Sequence, residues 1–118
     1  MTDDKRDYTA KYDQGKTDWS LLPWKPIEQA AQIMTDAINI KGYGRDSWRT
    51  VKGGQFRYWS AALRHLFERF VLGNIIDQES GYHHLAHALC NIAFVCQKDI
   101  EHFTDMNPLD HNFYDRDI

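Results

Sequence analysis

The chain is poor in residues that staple a fold or carry it through a membrane. Its two cysteines, Cys90 and Cys96, fall six positions apart in one helical stretch, too far along the axis to pair, so they read as small core residues of a reducing compartment. Only three prolines occur, and none interrupts the stretch from Gly81 to Ile100. No apolar run is long enough to span a bilayer, and the segment from Met1 to Arg6 is polar throughout, so a cytoplasmic protein with no membrane partner is expected. A strong excess of either sign of charge is lacking too. A net charge of −3 gives no general attraction to nucleic acid, so none is expected as a partner, and an anionic ligand must be met by a local cluster of cations. Period-two alternation and internal repeats are absent, which removes sheets and solenoids from consideration.

What remains is helical. The 118 residues are 42% hydrophobic and 14% aromatic, enough for one core. We expect a polar arm over residues 1–14, a single all-α domain over 15–100 and a polar tail over 101–118. Ile27, Ala30, Ala31, Met34, Ala37 and Ile38 recur at helical spacing behind Pro26, which suits a first turn, and the helix stops near Gly42. Glu28, Gln29, Gln32 and Asp36 should then face water. A second helix is expected from Gln55 to Leu72. Trp59, Leu63, Leu66 and Phe70 make its core face, with Arg57, Ala61, Arg64, His65 and Glu68 on the other side.

The third helix, from Gly81 to Ile100, carries Leu85, Leu89, Ile92 and Cys96 at helical spacing, with Asp77 or Ser80 as its N-cap. At 100° per residue His84, His87, Asn91 and Lys98 share one arc of this otherwise apolar helix. A lone buried histidine is usually a satisfied core residue, but two at i and i+3 with an asparagine one turn on read as the lining of a site. Between the first two helices, the loop from Lys41 to Arg49 holds Tyr43, Trp48 and three cations, a supply suited to stacking on a base and pairing with phosphate. The same Tyr43 and Trp48 can equally pin the loop to the core. Gly15-Lys16 lacks the rest of a phosphate loop, which leaves Lys16 at most a single phosphate contact.

The order of these motifs resembles a known family. Asp13-Gln-Gly-Lys16, Leu21-Leu-Pro23, the loop Gly42-Tyr-Gly-Arg-Asp-Ser-Trp48, Ala62-Leu-Arg-His65 and Asp77-Gln-Glu-Ser-Gly81 followed by His84-Leu-Ala-His87 are similar to the phage dATP/dGTP diphosphohydrolase N-terminal domain family. That family is related to the MazG-like all-α nucleoside triphosphate pyrophosphohydrolases. The resemblance covers roughly residues 13–96. It implies a helical nucleotide-handling domain, a homodimer or homotetramer whose helices complete four-helix bundles, working in the host cytoplasm of a phage.

The resemblance also implies a metal, and here the sequence departs from it. MazG-like enzymes hold Mg²⁺ with carboxylates, whereas the matching places are Arg64, His65 and Glu68, then His84 and His87. Hard Mg²⁺ wants oxygen ligands, and imidazole suits Mn²⁺ and softer ions. The expected metal set is therefore Glu68, Asp77, Glu79, His84 and His87, holding Mg²⁺ or Mn²⁺, with a metal-free site as the other outcome. Glu68, His65 and His87 are the catalytic candidates. Arg64, Lys41, Tyr43, Trp48, Lys16 and Asn91 are the substrate-binding candidates. The implied reaction takes a (deoxy)nucleoside triphosphate, a purine deoxynucleotide by preference, to the monophosphate and pyrophosphate by metal-assisted attack of water. Two other functions fit the same residues: a non-catalytic phage protein that sequesters a nucleotide or nucleotide second messenger, and a helical interaction module.

Overall fold

The computed structural model describes Tyr12 and residues 14–102. The expected arm and tail lie outside the described residues, apart from Tyr12, Gln14 and the last turn of the final helix. Three helices make the domain: α1 (Trp24–Asn39), α2 (Gly54–Phe70) and α3 (His84–His102), with short 3-10 turns at Trp19–Leu21 and Ser47–Thr50. The fold is all-α, as the periodicity predicts. Among the described residues no helix is long and apolar enough to cross a membrane.

The helix boundaries follow local chemistry. α1 begins at Trp24, two residues before the expected start, with Pro23 at the cap position. Pro26 thus sits in the first turn, where its missing N–H has no intrahelical acceptor to lose. Past the end of α1, Gly42 adopts φ 79° and lets the Tyr43 N–H reach back 3.0 Å to the Ala37 carbonyl. Gly73, at φ 76°, does the same for α2, where the Asn74 N–H donates to the Glu68 carbonyl at 2.8 Å. α3 starts at His84 rather than at Gly81. Neither Asp77 nor Ser80 caps it. The Nδ1 of His83 accepts the Leu85 N–H at 3.0 Å instead, while Asp77 and Ser80 are consumed inside the preceding turn.

α2 and α3 form an antiparallel hairpin. His65, late in α2, meets His84 and His87 at the start of α3, and Tyr58, early in α2, tilts against Phe94 with ring centroids 5.1 Å apart. α1 lies along α3, close enough for the Cys90 thiol to donate to the Ala30 carbonyl at 3.4 Å. The buried residues are small: Ala30, Ala62, Ala86, Ala88 and Cys90, with His84. Small side chains at each crossing let the helix backbones approach closely.

Two expectations about faces are corrected. Trp59, Leu63 and Phe70, expected as core, are 56%, 48% and 64% exposed, because α2 turns Tyr58, Ala61, Ala62 and His65 toward α3 instead. Gln29 and Asp36, expected to face water, hold the segment before α3. The Oε1 of Gln29 accepts the His83 N–H at 3.0 Å, and Asp36 accepts the Tyr82 hydroxyl at 2.7 Å.

Candidate active site

The segment from Asp77 to Gly81 is a self-bonded turn. The Oδ1 of Asp77 accepts the Glu79 N–H at 3.1 Å, its Oδ2 accepts the Ser80 hydroxyl at 3.2 Å, and the Gly81 N–H donates to the Asp77 carbonyl at 2.7 Å. This is how Asp77 caps a turn rather than a helix. The turn presses Ser80 Oγ to within 2.7 Å of His87 Nε2, with Asp77 Oδ2 3.3 Å from the same nitrogen. Ser80 Oγ also accepts the Tyr82 N–H at 3.2 Å.

These contacts assign the tautomer. Burial pushes the Asp77 carboxyl up, but the Glu79 and Ser80 bonds and the neighbouring imidazoles outweigh it and hold the group below the usual carboxylate range. Ionised, it only accepts. The one Ser80 hydroxyl proton therefore goes to Asp77, and Ser80 Oγ accepts from His87 Nε2–H. His87 is left with a bare Nδ1, which no described residue bonds. Burial lowers the His87 pKa against the pull of Asp77, with Lys41 and His84 adding to the lowering, so the ring is a neutral acceptor at neutral pH.

Around His87 the other two imidazoles close in. His65 stacks on His87 with centroids 4.6 Å apart and planes at 9°, and its Nδ1 lies 2.9 Å from the His84 Nδ1. Burial first, then the positive charge that His87 and His84 would carry, takes the His65 pKa down to about 4. This cluster does not fit a metal ion. An ion sits in the plane of the imidazole that binds it, and two parallel stacked rings offer no common position. Glu68 is turned to Asn74, whose amide donates to it at 2.8 Å, and Glu79 is exposed. Among the described residues no group of three or more His, Cys, Asp or Glu side chains is placed to hold a metal.

Beside His87 opens a cavity of about 900 Å³. α1 supplies Ile33, Met34, Ala37 and Ile38 to its wall; the connecting loop supplies Lys41, Tyr43, Arg45, Ser47 and Trp48. α2 adds Phe56, Arg57, Tyr58, Ser60, Ala61 and Arg64, and α3 adds His87, Cys90, Asn91 and Phe94. Lys41, Arg45, Arg57 and Arg64 line it, and no carboxylate does. A concave lining that combines an apolar wall with four cations and no carboxylate suits a ligand with both an apolar and a highly anionic part.

Lys41, Tyr43, Trp48, Arg64, His87 and Asn91, singled out from the sequence, all line this one cavity. His65, Asp77 and His84 stand behind His87. Glu68, Glu79 and Lys16 are not among the lining residues, and Lys16 lies in an exposed turn. Trp48 is stacked on Phe94 at 4.9 Å and carries the Arg49 guanidinium 4.5 Å over its ring, whereas Tyr43 is 58% exposed and open to a ligand. Arg57, which the sequence offers beside Arg64 as a direct phosphate contact of a metal-free site, lines the cavity as well, its i, i+7 spacing to Arg64 putting both on one side of α2, and so does Arg45, one of the three cations of the loop.

Comparison with known proteins identifies the family. A dATP/dGTP diphosphohydrolase of Salmonella phage PMBT28 is 36% identical over 85 residues, which are 72% of this chain and 28% of that protein. The chain thus spans less than a third of the relative's length. No solved structure gives a significant match. The family profile described as dATP/dGTP diphosphohydrolase, N-terminal, matches residues 6–107, and it is to this family that the chain belongs.

Proposed function

We propose that the cavity binds a deoxynucleoside triphosphate, favouring a purine, and that the site hydrolyses it to the monophosphate and pyrophosphate. The observation that carries this reading is the lining itself, four Lys and Arg side chains with no carboxylate, beside His87, a histidine whose pKa burial lowers. The name of the phage relative, a dATP/dGTP diphosphohydrolase, supports the substrate class.

In this reading the base lies against Tyr43 and the apolar wall of α1, and the phosphates meet Lys41, Arg45, Arg57 and Arg64. Charge-assisted bonds from guanidinium groups are the strong contacts to phosphate oxygens. Water adds to phosphorus at the α–β anhydride, its proton passes to His87 Nδ1, the bridging P–O bond breaks, and pyrophosphate leaves against the arginines. The imidazolium formed is stabilised through Ser80 by Asp77. Asn91 gives the water a second acceptor. Its Nδ2 donates to the His87 carbonyl at 2.8 Å, which leaves Oδ1 for the cavity one helical turn from His87. Mg²⁺ or Mn²⁺ enters this reading as part of the nucleotide complex, since triphosphates carry the ion with them and need few protein ligands for it.

The missing metal cage also favours a second reading, in which the domain binds and sequesters a nucleotide or nucleotide second messenger without turnover. Incubation with a mixture of ribo- and deoxynucleoside triphosphates in Mg²⁺, Mn²⁺ or EDTA, followed by mass spectrometry, separates the two. Conversion of one nucleotide to its monophosphate is the expected result. Survival of every nucleotide, with one retained on the protein, gives the sequestering reading instead.

A further inference from the structure

Three aromatic rings from three elements meet at one corner of the cavity lining. Trp48 of the loop stacks on Phe94 of α3 with planes at 17°, and Tyr58 of α2 tilts against the same Phe94 while its hydroxyl donates to the Trp48 carbonyl at 3.1 Å. The next residue, Arg49, is not among the lining residues and reaches to the last turn of α3 instead. Its Nη1 donates to both carboxylate oxygens of Glu101, at 2.7 and 2.9 Å, and its carbonyl accepts the Lys98 ammonium at 3.0 Å. The Gln97 amide also donates to Glu101, at 2.9 Å, and the Arg49 guanidinium lies 4.5 Å over the Trp48 ring. An isolated surface ion pair contributes little, but here each charged partner is held by a further contact, so the pair keeps one geometry.

We propose that Arg49 and Glu101 are positioning residues, a clamp by which the last turn of α3 holds the loop wall of the cavity in place for its ligand. That ligand is the one of the nucleotide reading, on which this role rests; the clamp itself rests on geometry. The other bonds of the loop show what the clamp adds. Ser47 N–H to the Gly44 carbonyl at 3.1 Å and Arg49 N–H to the Asp46 carbonyl at 3.0 Å stay within the loop, so they shape it without tying it to the hairpin. At its start the loop is attached to α1, through Gly42 at φ 79° and the Tyr43 bond to Ala37. Between that attachment and the Trp48–Arg49 turn run Tyr43 and Arg45, which in the proposed binding mode take the base and a phosphate. Their placement follows from where the turn is fixed, and Arg49 with Glu101, 52 positions apart in sequence, fixes it from outside the lining. Glu101 stands fourteen positions beyond His87 on α3, roughly 20 Å along the axis, so the clamp acts on ligand affinity and not on proton transfer.

Steady-state kinetics with purine deoxynucleoside triphosphates, paired with hydrogen exchange on the nucleotide-free protein, tests the proposal. Arg49→Gln and Glu101→Gln should each raise KM about 2–5-fold, the range of one surface ion pair, while kcat stays within about 2-fold of wild type. The double variant should be no worse than either single one, since all three cut the same pair. Arg69→Gln, which removes a cation of α2 outside the lining, should leave KM unchanged. In the nucleotide-free protein Glu101→Gln should speed amide exchange over residues 44–50, with wild-type protection kept in α1 and in the first turns of α3 and with circular dichroism unchanged. A loss in kcat instead of KM, additive losses in the double variant, or wild-type exchange over the loop in Glu101→Gln would overturn the clamp. Absence of both turnover and binding in wild type would sink the nucleotide reading, and the exchange result alone would then decide the clamp.

Discussion

His65 and His87 lie ring on ring, with 4.6 Å between centroids and 9° between planes. Two imidazoles so placed cannot both be charged without strong repulsion, and burial already disfavours the first proton. The stack thereby keeps His87 neutral, the form in which Nδ1 accepts a proton. With Arg64 adding positive charge nearby and only Asp77 opposing, His65 falls from 6.5 to about 4.

The first prediction concerns acid stability. The folded chain keeps His65 neutral while the unfolded chain protonates it, so the unfolded state binds more protons between pH 6.5 and about 4. Stability from this group is complete above that window, declines as pH falls through it, and declines no further below. After allowance for solvent screening the loss is on the order of 1–2 kcal/mol. Melting temperatures at pH 7.5, 5.5 and 4.5 should fall more steeply for wild type than for His65→Gln. Equal slopes would mean that the stack is not what titrates.

The second prediction separates His87 from the carboxylate expected from the family resemblance. His87→Ala should lower kcat by about 10²–10⁴-fold with little change in KM, the range typical of a lost general base. Asp77→Asn should also lower kcat, since an amide can donate to Ser80 and reverse the hydrogen-bond order that frees Nδ1. Glu68→Gln should retain most turnover, because that carboxylate bonds Asn74 outside the cavity lining. Loss on Glu68→Gln as severe as on His87→Ala would restore the carboxylate assignment.

A third prediction addresses the cations. Arg57→Ala and Arg64→Ala each remove a charged donor from the cavity wall, worth about 1.5–3 kcal/mol where a charged group is bonded. Each should raise the KM for a triphosphate roughly 10-fold or more, with a smaller effect on a monophosphate. Isothermal titration with both ligands reads the difference. Equal weakening of the two would place the phosphates elsewhere.

Much of this was open to reading in the amino-acid order. Helical spacing marks α1, α2 and α3, and the arc of His84, His87 and Asn91 announces the polar side of α3 because an apolar helix makes its exceptions visible. Lys41, Tyr43 and Arg64 stood out as charge and aromatic surface near that arc. Hidden were the roles that depend on which segment docks where. Gln29 and Asp36 sit at solvent-facing positions of an isolated α1 and become acceptors only when the turn before α3 lands on them. His83 is a capping group only because the chain enters α3 after a sharp turn. Trp59 and Ile92 carry a core signature that periodicity cannot tell from an apolar row left on the surface.

Metal binding gives the fourth prediction. With stacked imidazoles and Glu68 turned to Asn74, the nucleotide-free protein should retain no stoichiometric Mn²⁺ after equilibrium dialysis. Adding a nucleoside triphosphate should bring the ion along. One Mn²⁺ per chain without nucleotide would show that the histidines rearrange around a metal.

The last prediction concerns the strap that seats the Asp77–Ser80 turn. The Tyr82 hydroxyl donates to Asp36 at 2.7 Å, a bond that foremost raises the phenol pKa, and the His83 N–H donates to Gln29 at 3.0 Å. Together they fix the Asp77–Ser80 turn against α1, which also forms the apolar wall of the cavity. Tyr82→Phe keeps the ring and removes one charge-assisted bond, so a lower melting temperature is expected. The turn should then sample positions in which Ser80 no longer meets His87. Turnover should suffer through kcat more than through KM, because the arginines proposed to hold the phosphates stand on α2 and the loop. Adding Asp36→Asn should cost little beyond Tyr82→Phe alone, since both changes cut the same bond. Additive losses in that double-mutant cycle would show that Tyr82 and Asp36 act separately, and the turn would need another anchor.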